Sequence, residues 1–568
     1  MQQKLFILGM FIVVIVLLSA CAYLTADPIE DASSEQSATK EDSAEQGSTS
    51  DLVMEDKRIY KEDEEGSLEH FYVTILDEQS AGDPSFYEMN EFYQFHDQDE
   101  DSPVLHVIFQ LGDENGPSKK MKGNVPNGNA TIQIRGNSSK LEVQKSYKIK
   151  LKDSAGLWRG QNNLNLNKHA DDITRVKNKL AFDLFKTIPD FISMRTQFVE
   201  IHVKDLTAGA SSFESYGLYT HVEQANERYL NAHGLNPYGN LYKASRFEFF
   251  RYEDTIKVKD DPTYNEEAFE RILEIKGSDD HSGLIEMLQA VNDTKRNMDD
   301  VVEQYFDKDN YLTWIATNIL FGNIDTMSTN YYLYSPPNTD KWYFIPWDYD
   351  KGFGWYEERG RYVPAWQTGL ARYWGTVLHK RYFKNPENVA ALNEKIEELA
   401  AYINEKEVER LLDNYYPIVK ELVSQPPDLT YFPIELEDFD AEFYDLVNEL
   451  EKNKAIYEEQ LEHPMPIFLG SAVEKNGGYT FNWEYAYDIQ GDDLSYTFQI
   501  SEDTSFETVI HEQADLLGTS TTVRDLPEGR LYWRVLVSDE HGNQQIPFDR
   551  FIDREGSYHW GLKEFINQ

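Results

Sequence analysis

The segment Phe321–Gly354, FGNIDTMSTNYYLYSPPNTDKWYFIPWDYDKGFG, concentrates the chemistry of this chain. Asp325 is followed five positions later by Asn330, and Asp348 and Asp350 come after two runs of β-favouring residues. One Asp that orients or deprotonates a hydroxyl, with an Asn and a later Asp that hold a divalent cation against phosphates, is a donor set for phosphoryl transfer. These are hard oxygen donors, which suit Mg²⁺ or Mn²⁺, and the segment has no Cys or His cluster that would suit zinc.

The elements that must position these groups can be read around them. Tyr331–Tyr334 and Lys341–Trp347 are strand candidates, and Ser335-Pro-Pro-Asn-Thr-Asp340 is a turn cluster. Antiparallel pairing around that turn puts Asn330 opposite roughly residue 345. Asp348 then lies within about 10 Å of it, at about 3.3 Å per residue. Alternation puts Asp348 and Asp350 on the same side of an extended strand. The bland alternative is a hairpin with Asp and Asn at its ends as caps and turn formers.

The segment resembles the signature of the CotH kinase family, atypical protein kinases named after spore-coat protein H. Three more segments match in order: IRGNSSKLEVQKSYKIKL (Ile134–Leu151), DDITRVKNKLAFDLF (Asp171–Phe185) and YGLYTHVEQANERYL (Tyr216–Leu230). The resemblance runs from about residue 70 to about 460. It implies an α+β, two-lobed atypical protein-kinase-like domain that uses ATP with Mg²⁺ or Mn²⁺ on Ser/Thr of a protein substrate. Asp325 would be the base or acceptor-orienting group. Asn330 and Asp348 would ligate metal, with Asp350 as helper.

The loop Ile134–Lys140 would cover the phosphates. It holds one Gly rather than a glycine series, so Arg135, Asn137 and Ser138 would share the task; the alternative is a hairpin turn with Gly136-Asn137 at its tip. On SYKIKL, alternation puts Lys148 and Lys150 on one face and Tyr147, Ile149 and Leu151 on the other. Lys148 is the phosphate-lysine candidate and Lys145 the fallback, against a plain solvated lysine face. The resemblance places Glu223 as the carboxylate that orients the lysine. Lys177 and Asn178 either reach the nucleotide or merely open a helix, of which the structural reading is preferred, and the lone His169 and His221 are given no chemistry.

The 568 residues are 40% hydrophobic and 14% aromatic, enough for large cores and two or three domains. The net charge of −46 opposes nucleic acid as a partner but leaves room for a nucleotide in a local basic patch with metal. The single cysteine, Cys21, excludes an intrachain disulfide. It ends an apolar run, Leu5–Leu18, followed by Ser19-Ala20. Leu-Ser-Ala-Cys resembles a bacterial lipobox, so residues 1–21 read as a lipoprotein signal peptide with Cys21 diacylated; the rival is an uncleaved N-terminal anchor. Either way the expectation is attachment to the cell membrane, lipid-anchored at its extracytoplasmic face in the first case.

Residues 22–68 read as a disordered acidic, Ser-rich stalk, and 69–464 as the kinase-like domain. Within the latter, 71–76, 105–111, 130–136, 146–151 and 196–203 are strand candidates. Helix candidates are 177–185, 222–230, 266–276 and 310–320, then long helices from 385 to about 463 with a break or kink at Pro417. Residues 465–555 alternate apolar and polar between turn residues (TFNWEY, SYTFQIS, LYWRVLVSD), a small all-β sandwich that resembles a fibronectin type III module. Two other functions compete with phosphoryl transfer: a non-catalytic surface binding or assembly lipoprotein on a kinase-like scaffold, and a metal-dependent hydrolase of surface polymers.

Overall fold

The computed structural model describes residues 53–77, 84–118, 127–355, 363–475 and 477–567. Cys21, its apolar leader and most of the expected stalk lie outside these residues. The remainder of that stretch is not a stalk: residues 57–60 form a 3₁₀ turn, and Glu55 is buried against His233, with its Oε1 2.6 Å from Nδ1. The apolar-poor composition misleads here because one buried ion pair anchors the segment.

The first large element is a closed sheet. Its strands are β1 (Leu68–Ile75), β2 (Leu105–Asp113), β3 (Gly116–Pro117), β4 (Ala130–Arg135), β5 (Ser146–Leu151), β6 (Asn163–Asn167), β7 (Thr196–Asp205) and β8 (Glu214–Val222). The order β1-β7-β8-β6-β5-β4-β2 returns on itself because β1 also pairs with β2, leaving β3 as a short flap on β2. Closure leaves no long open edge among the seven ring strands. The period of two fills the inside with Phe71, Val73, Leu105, Val107, Ile132, Ile134, Ile149, Leu164 and Ile201.

A second sheet, in the order β10-β9-β11-β12, holds β9 (Asn240–Ala244), β10 (Leu273–Ile275), β11 (Tyr331–Ser335) and β12 (Tyr343–Pro346). Against it packs the helix Lys308–Leu320, buried on every side from Asn310 through Leu320, with its polar Asn310, Thr317 and Asn318 hydrogen-bonded to backbone carbonyls. Asp307 caps its first turn by accepting from the Asn310 N–H at 2.9 Å. Trp314 stacks on Phe344 of β12 at 4.5 Å, so the helix that delivers Asp325 and the hairpin that carries Asn330 share one core. The helices Pro386–Leu399, Glu405–Val423 and Glu449–Leu461 complete this region.

Several expectations change. The helix foreseen over 222–230 is the end of β8 followed by a short helix, Glu227–Ala232, capped by Asn226, because cross-strand pairing with β6 and β7 claims Thr220 to Val222. The foreseen helix over 266–276 stops at Glu270, and Leu273–Ile275 pairs with β9 instead. Of the break or kink foreseen at Pro417, the break does not occur: the single helix Glu405–Val423 runs through it. β6 was unforeseen, since three of the five residues in Asn-Leu-Asn-Leu-Asn are asparagine, a poor strand former held here by both neighbours.

The C-terminal region is all β. One sheet contains Val473–Lys475, Gly478–Asn482 and Ser520–Arg524; another contains Ser495–Ser501, Val509–Leu516, Gly529–Ser538, Gln544–Gln545 and Leu562–Asn567, so strands continue beyond position 555. Phe481, Phe498, Trp533 and Val535 form its own core. It also docks on the helices: Trp366 meets Phe548 at 4.9 Å, Trp374 meets Tyr487 at 5.4 Å, and the Tyr487 hydroxyl donates to the Lys384 carbonyl at 2.6 Å. Residues 51–568 form one compact unit. Among the described residues, no helix is long and apolar enough to cross a membrane.

Candidate functional site

The hairpin β11–β12 sets the site. Its register pairs Tyr331 with Pro346 and Tyr334 with Tyr343, so Asn330 falls opposite 347 rather than 345. The reason is Trp342: its N–H donates to the Tyr305 carbonyl at 2.8 Å and its backbone bridges Phe306, which takes Lys341 and Trp342 out of the hairpin ladder. The shift brings Asn330 closer to Asp348 along the ribbon. Both leave the strands in the left-handed region, each with φ of 61°, a conformation that Asn and Asp tolerate better than most side chains.

Asp325 and Asn330 are in direct contact, the amide Nδ2 donating to Asp325 Oδ2 at 2.9 Å. Lys351 Nζ reaches the same oxygen at 3.0 Å. In WDYD, Tyr349 points inward, packing on Phe185 at 5.0 Å, while the flanking Asp348 and Asp350 remain half-buried at the crevice. The turn is tied to the helix Lys177–Thr187: the Tyr349 N–H donates to Asn178 Oδ1 at 3.0 Å, and Asn178 Nδ2 lies 3.3 Å from His169 Nε2. His169 Nδ1 is 3.6 Å from Asp350 Oδ2.

The electrostatics separate the two acids. Burial and the adjacent Asp350 carboxylate push Asp348 up to about 7, with Arg135 opposing. Against the cost of its own burial, Asp350 is held below the usual range by His169 and Lys351.

Arg135, at the end of β4, faces this acidic pair, its strongest charge interaction being with Asp348. Lys148 lies across the same sheet face, in register with Gln133 of β4 and Asn165 of β6. Burial depresses its ammonium, and so do the positive neighbours Arg135, Lys150 and Lys276. Lys148 is half-buried and Lys150 exposed, while Tyr147, Ile149 and Leu151 are buried, as alternation requires.

The other foreseen positions fare differently. Glu223 is not paired with Lys148 among the described residues. It accepts from Arg195 Nε at 2.8 Å and lies 2.9 Å from His233 Nε2, deep in a buried network. Glu223 follows directly on β8, its N–H still donating to the Arg195 carbonyl at 3.2 Å, so the side chains of Glu223 and Gln224 leave the chain in opposite directions. Gln224, one residue on, takes the cleft side, beside Asn165 Nδ2 at 3.2 Å and donating to the Tyr332 hydroxyl at 3.2 Å. Lys145 is buried and donates to the Lys140 carbonyl at 2.8 Å, so it braces the loop rather than reaching the crevice. Asn137 and Ser138 are exposed on that loop, where Gly136 takes φ of 106°.

Lys351, His169 and Gln224 are the site residues that local reading passed over, and Asn178, weighed as a nucleotide contact or a helix opening, instead braces the WDYD turn. Lys351 adjoins WDYD and was legible as a charge beside two acids. The other three reach the site only through tertiary packing.

The donor set fits a hard divalent cation. The Asp348 carboxylate makes no hydrogen bond with any described residue, and Asn330 commits only its Nδ2, leaving an amide oxygen available beside two carboxylates.

The family profile described as CotH kinase protein matches residues 132–457. The inner spore coat protein H of Bacillus subtilis (strain 168) is 26% identical over 235 residues, 41% of this chain and 61% of that protein. The chain thus spans less than two thirds of that relative's length. Two solved structures align far more loosely. One is a chain of the Shewanella oneidensis HipA–HipB–operator DNA complex, 11% identical over 62% of this chain and 68% of that one, at TM-score 0.23. The other is the Helicobacter pylori proinflammatory kinase CtkA, 11% identical over 56% and 94%, also at 0.23. At those scores neither superposition bears on the reaction. The profile match covers more than half of the sequence and includes all four carboxylate and amide donors of the crevice: the chain belongs to the CotH kinase family.

Proposed function

We propose that the chain is a phosphotransferase that moves the γ-phosphoryl group of ATP to a Ser or Thr hydroxyl of a protein. The observation that carries this reading is the convergence of Asp325 and Asn330, in contact at 2.9 Å, with Asp348, Asp350 and the opposing Arg135 around one crevice. A bound Mg²⁺ or Mn²⁺, held by Asp348, Asp350 and Asn330, would neutralise phosphate charge during transfer. Asp325 would orient the acceptor hydroxyl and take its proton, with Asn330 and Lys351 fixing the carboxylate. Arg135 and Lys148 would hold the phosphates from the barrel side. The contribution of such a site is positioning and charge stabilisation.

The test uses the purified full-length chain with γ-labelled ATP and Mg²⁺ or Mn²⁺, reading label on the chain itself and on an added Ser/Thr-rich protein. Asp325→Ala and Asp348→Ala should each reduce transfer by about 10²–10⁴-fold. Absence of label from the wild type, or label that persists in both variants, would refute the assignment. ATP that binds without transfer would instead favour the binding-scaffold reading. The location is proposed from Leu-Ser-Ala-Cys21: palmitate should label the wild type in a bacterial host and not Cys21→Ser.

A further inference from the structure

On the outward face of the barrel, away from the residues of the crevice, three side chains converge across the β1–β7 seam. His70 of β1 is the register partner of Glu200 in β7, and His202 is two residues further along β7, so all three face the same side. His70 Nδ1 is 3.2 Å from His202 Nε2 and 3.3 Å from Glu200 Oε2; His202 Nε2 is 3.4 Å from the same Oε2. The side chains are 17%, 13% and 15% exposed, so the cluster is sheltered but reachable from solvent.

With Glu200 ionised, hydrogen bonds cannot satisfy all three edges of the triangle. Its three edges need three hydrogens, and the two ring nitrogens can supply only two. If both nitrogens are protonated toward the carboxylate, their N–H groups face each other; if one is not, an edge lacks a donor. A cation bonded to all three atoms removes the conflict. The spacing agrees: bonds of about 2.0–2.1 Å at tetrahedral angles put neighbouring ligand atoms about 3.3–3.4 Å apart.

The surroundings hold the ligands in place. Ser215 of β8 donates its hydroxyl to Glu200 Oε1 at 2.6 Å, fixing the carboxylate so that Oε2 faces the histidines. The Tyr72 ring stacks on His202 at 4.5 Å with an interplanar angle of 10°, and the Tyr72 hydroxyl donates to the Asp113 carbonyl at 2.6 Å.

We infer that His70, Glu200 and His202 form a three-ligand site for a borderline transition-metal cation of the Zn²⁺ class, with its fourth position open to water. Two imidazoles and one carboxylate disfavour Mg²⁺ and Ca²⁺, which take oxygen. The site joins the first strand of the barrel to the seventh, at a parallel pairing that closes the ring. Its role is therefore a clasp on the fold, chemically separate from the hard-cation donors of the crevice.

The experiment strips the full-length chain with chelator and titrates Zn²⁺ alone, then Co²⁺ alone, each with excess Mg²⁺ present to occupy the crevice. The expected result is one equivalent bound, an intense visible spectrum of tetrahedral cobalt, and X-ray absorption showing imidazole ligation in the wild type. Asp348→Ala should keep all three signals. His70→Ala and His202→Ala should lose them while remaining folded by circular dichroism, and Ser215→Ala should weaken binding about 10–100-fold. Wild-type protein that takes up no Zn²⁺ or Co²⁺ overturns the inference. So does cobalt with an octahedral, oxygen-only signature, or stoichiometric binding that survives His202→Ala. Should the histidine variants fail to fold, the wild-type absorption spectra decide alone.

Discussion

Lys148 and Glu223, read from sequence as partners, end on different tasks, and substitution should separate them. Lys148 lies in the cleft among cations, with no ion-pair partner among the described residues, so Lys148→Ala should raise the KM for ATP by about 10–100-fold, the worth of a charge-assisted phosphate contact, and leave the unfolding midpoint nearly unchanged. Glu223 compensates Arg195 and His233 in the interior. Glu223→Ala leaves both without it and should cost about 3–5 kcal/mol in a denaturant titration. A nucleotide defect from Glu223→Ala without loss of stability would contradict this division. The acids at Asp325, Asp348 and Asp350 were legible because their spacing survives folding. His169 was not, because nothing local distinguishes a histidine beside an acid from any other.

At the scale of elements, the hairpin was recognisable from two β-favouring runs around a Pro-Pro turn, and its register was not. Register was decided by Trp342, which leaves the ladder to bond Tyr305. The hairpin is held from below by Leu333, fully buried between β9 and β12. Leu333→Ala should lower stability by about 2–5 kcal/mol and, by loosening the strand between Asn330 and the turn, reduce transfer beyond what the loss of folded protein explains.

A second element-level consequence concerns pH. His233, clamped between Glu55 and Glu223, pays for burial yet is raised to about 9, while both carboxylates are lowered. A histidine raised above its unfolded value of about 6.5 contributes stability that is full below about 6.5 and disappears as pH rises through about 9. The lowered carboxylates contribute above their ordinary range of about 4–4.5, and that part is lost on acidification. The unfolding midpoint should therefore fall between pH 7 and 9.5, by about 2 kcal/mol equivalent, and His233→Gln should flatten that slope. A midpoint that is flat over this window in the wild type would show that the network is not charged as described.

For the whole molecule, the C-terminal β region is bound to the rest. Its own core of Phe481, Phe498 and Trp533 would allow it to be a free spacer, but Phe548 and Tyr487 close over Trp366 and Trp374 of the helical region. Ending the chain at 465 exposes that aromatic face, and the truncated protein should aggregate or melt several degrees lower than the full chain. An equally stable truncation would show the two regions to be independent. The barrel makes the same point: β1, β2, β4, β5 and β7 were visible as alternating runs, but β3, β8, the membership of Asn-Leu-Asn-Leu-Asn and the closure through β1 were not.

What the sequence determined alone is what depends on near neighbours: alternation within strands, the turn, the buried helix before Asp325, and the donor atoms at Asp325, Asn330, Asp348 and Asp350. What the tertiary structure decided is which distant groups meet them. Lys351 rather than a barrel residue pairs with Asp325, His169 and Asn178 brace the WDYD turn, and Gln224 rather than Glu223 faces the cleft. The physical reason is that strand pairing fixes side-chain direction to within one residue: a single step along the chain just past the end of β8 turns a carboxylate from the crevice into the core, and the register of β8 with its neighbours sets that step.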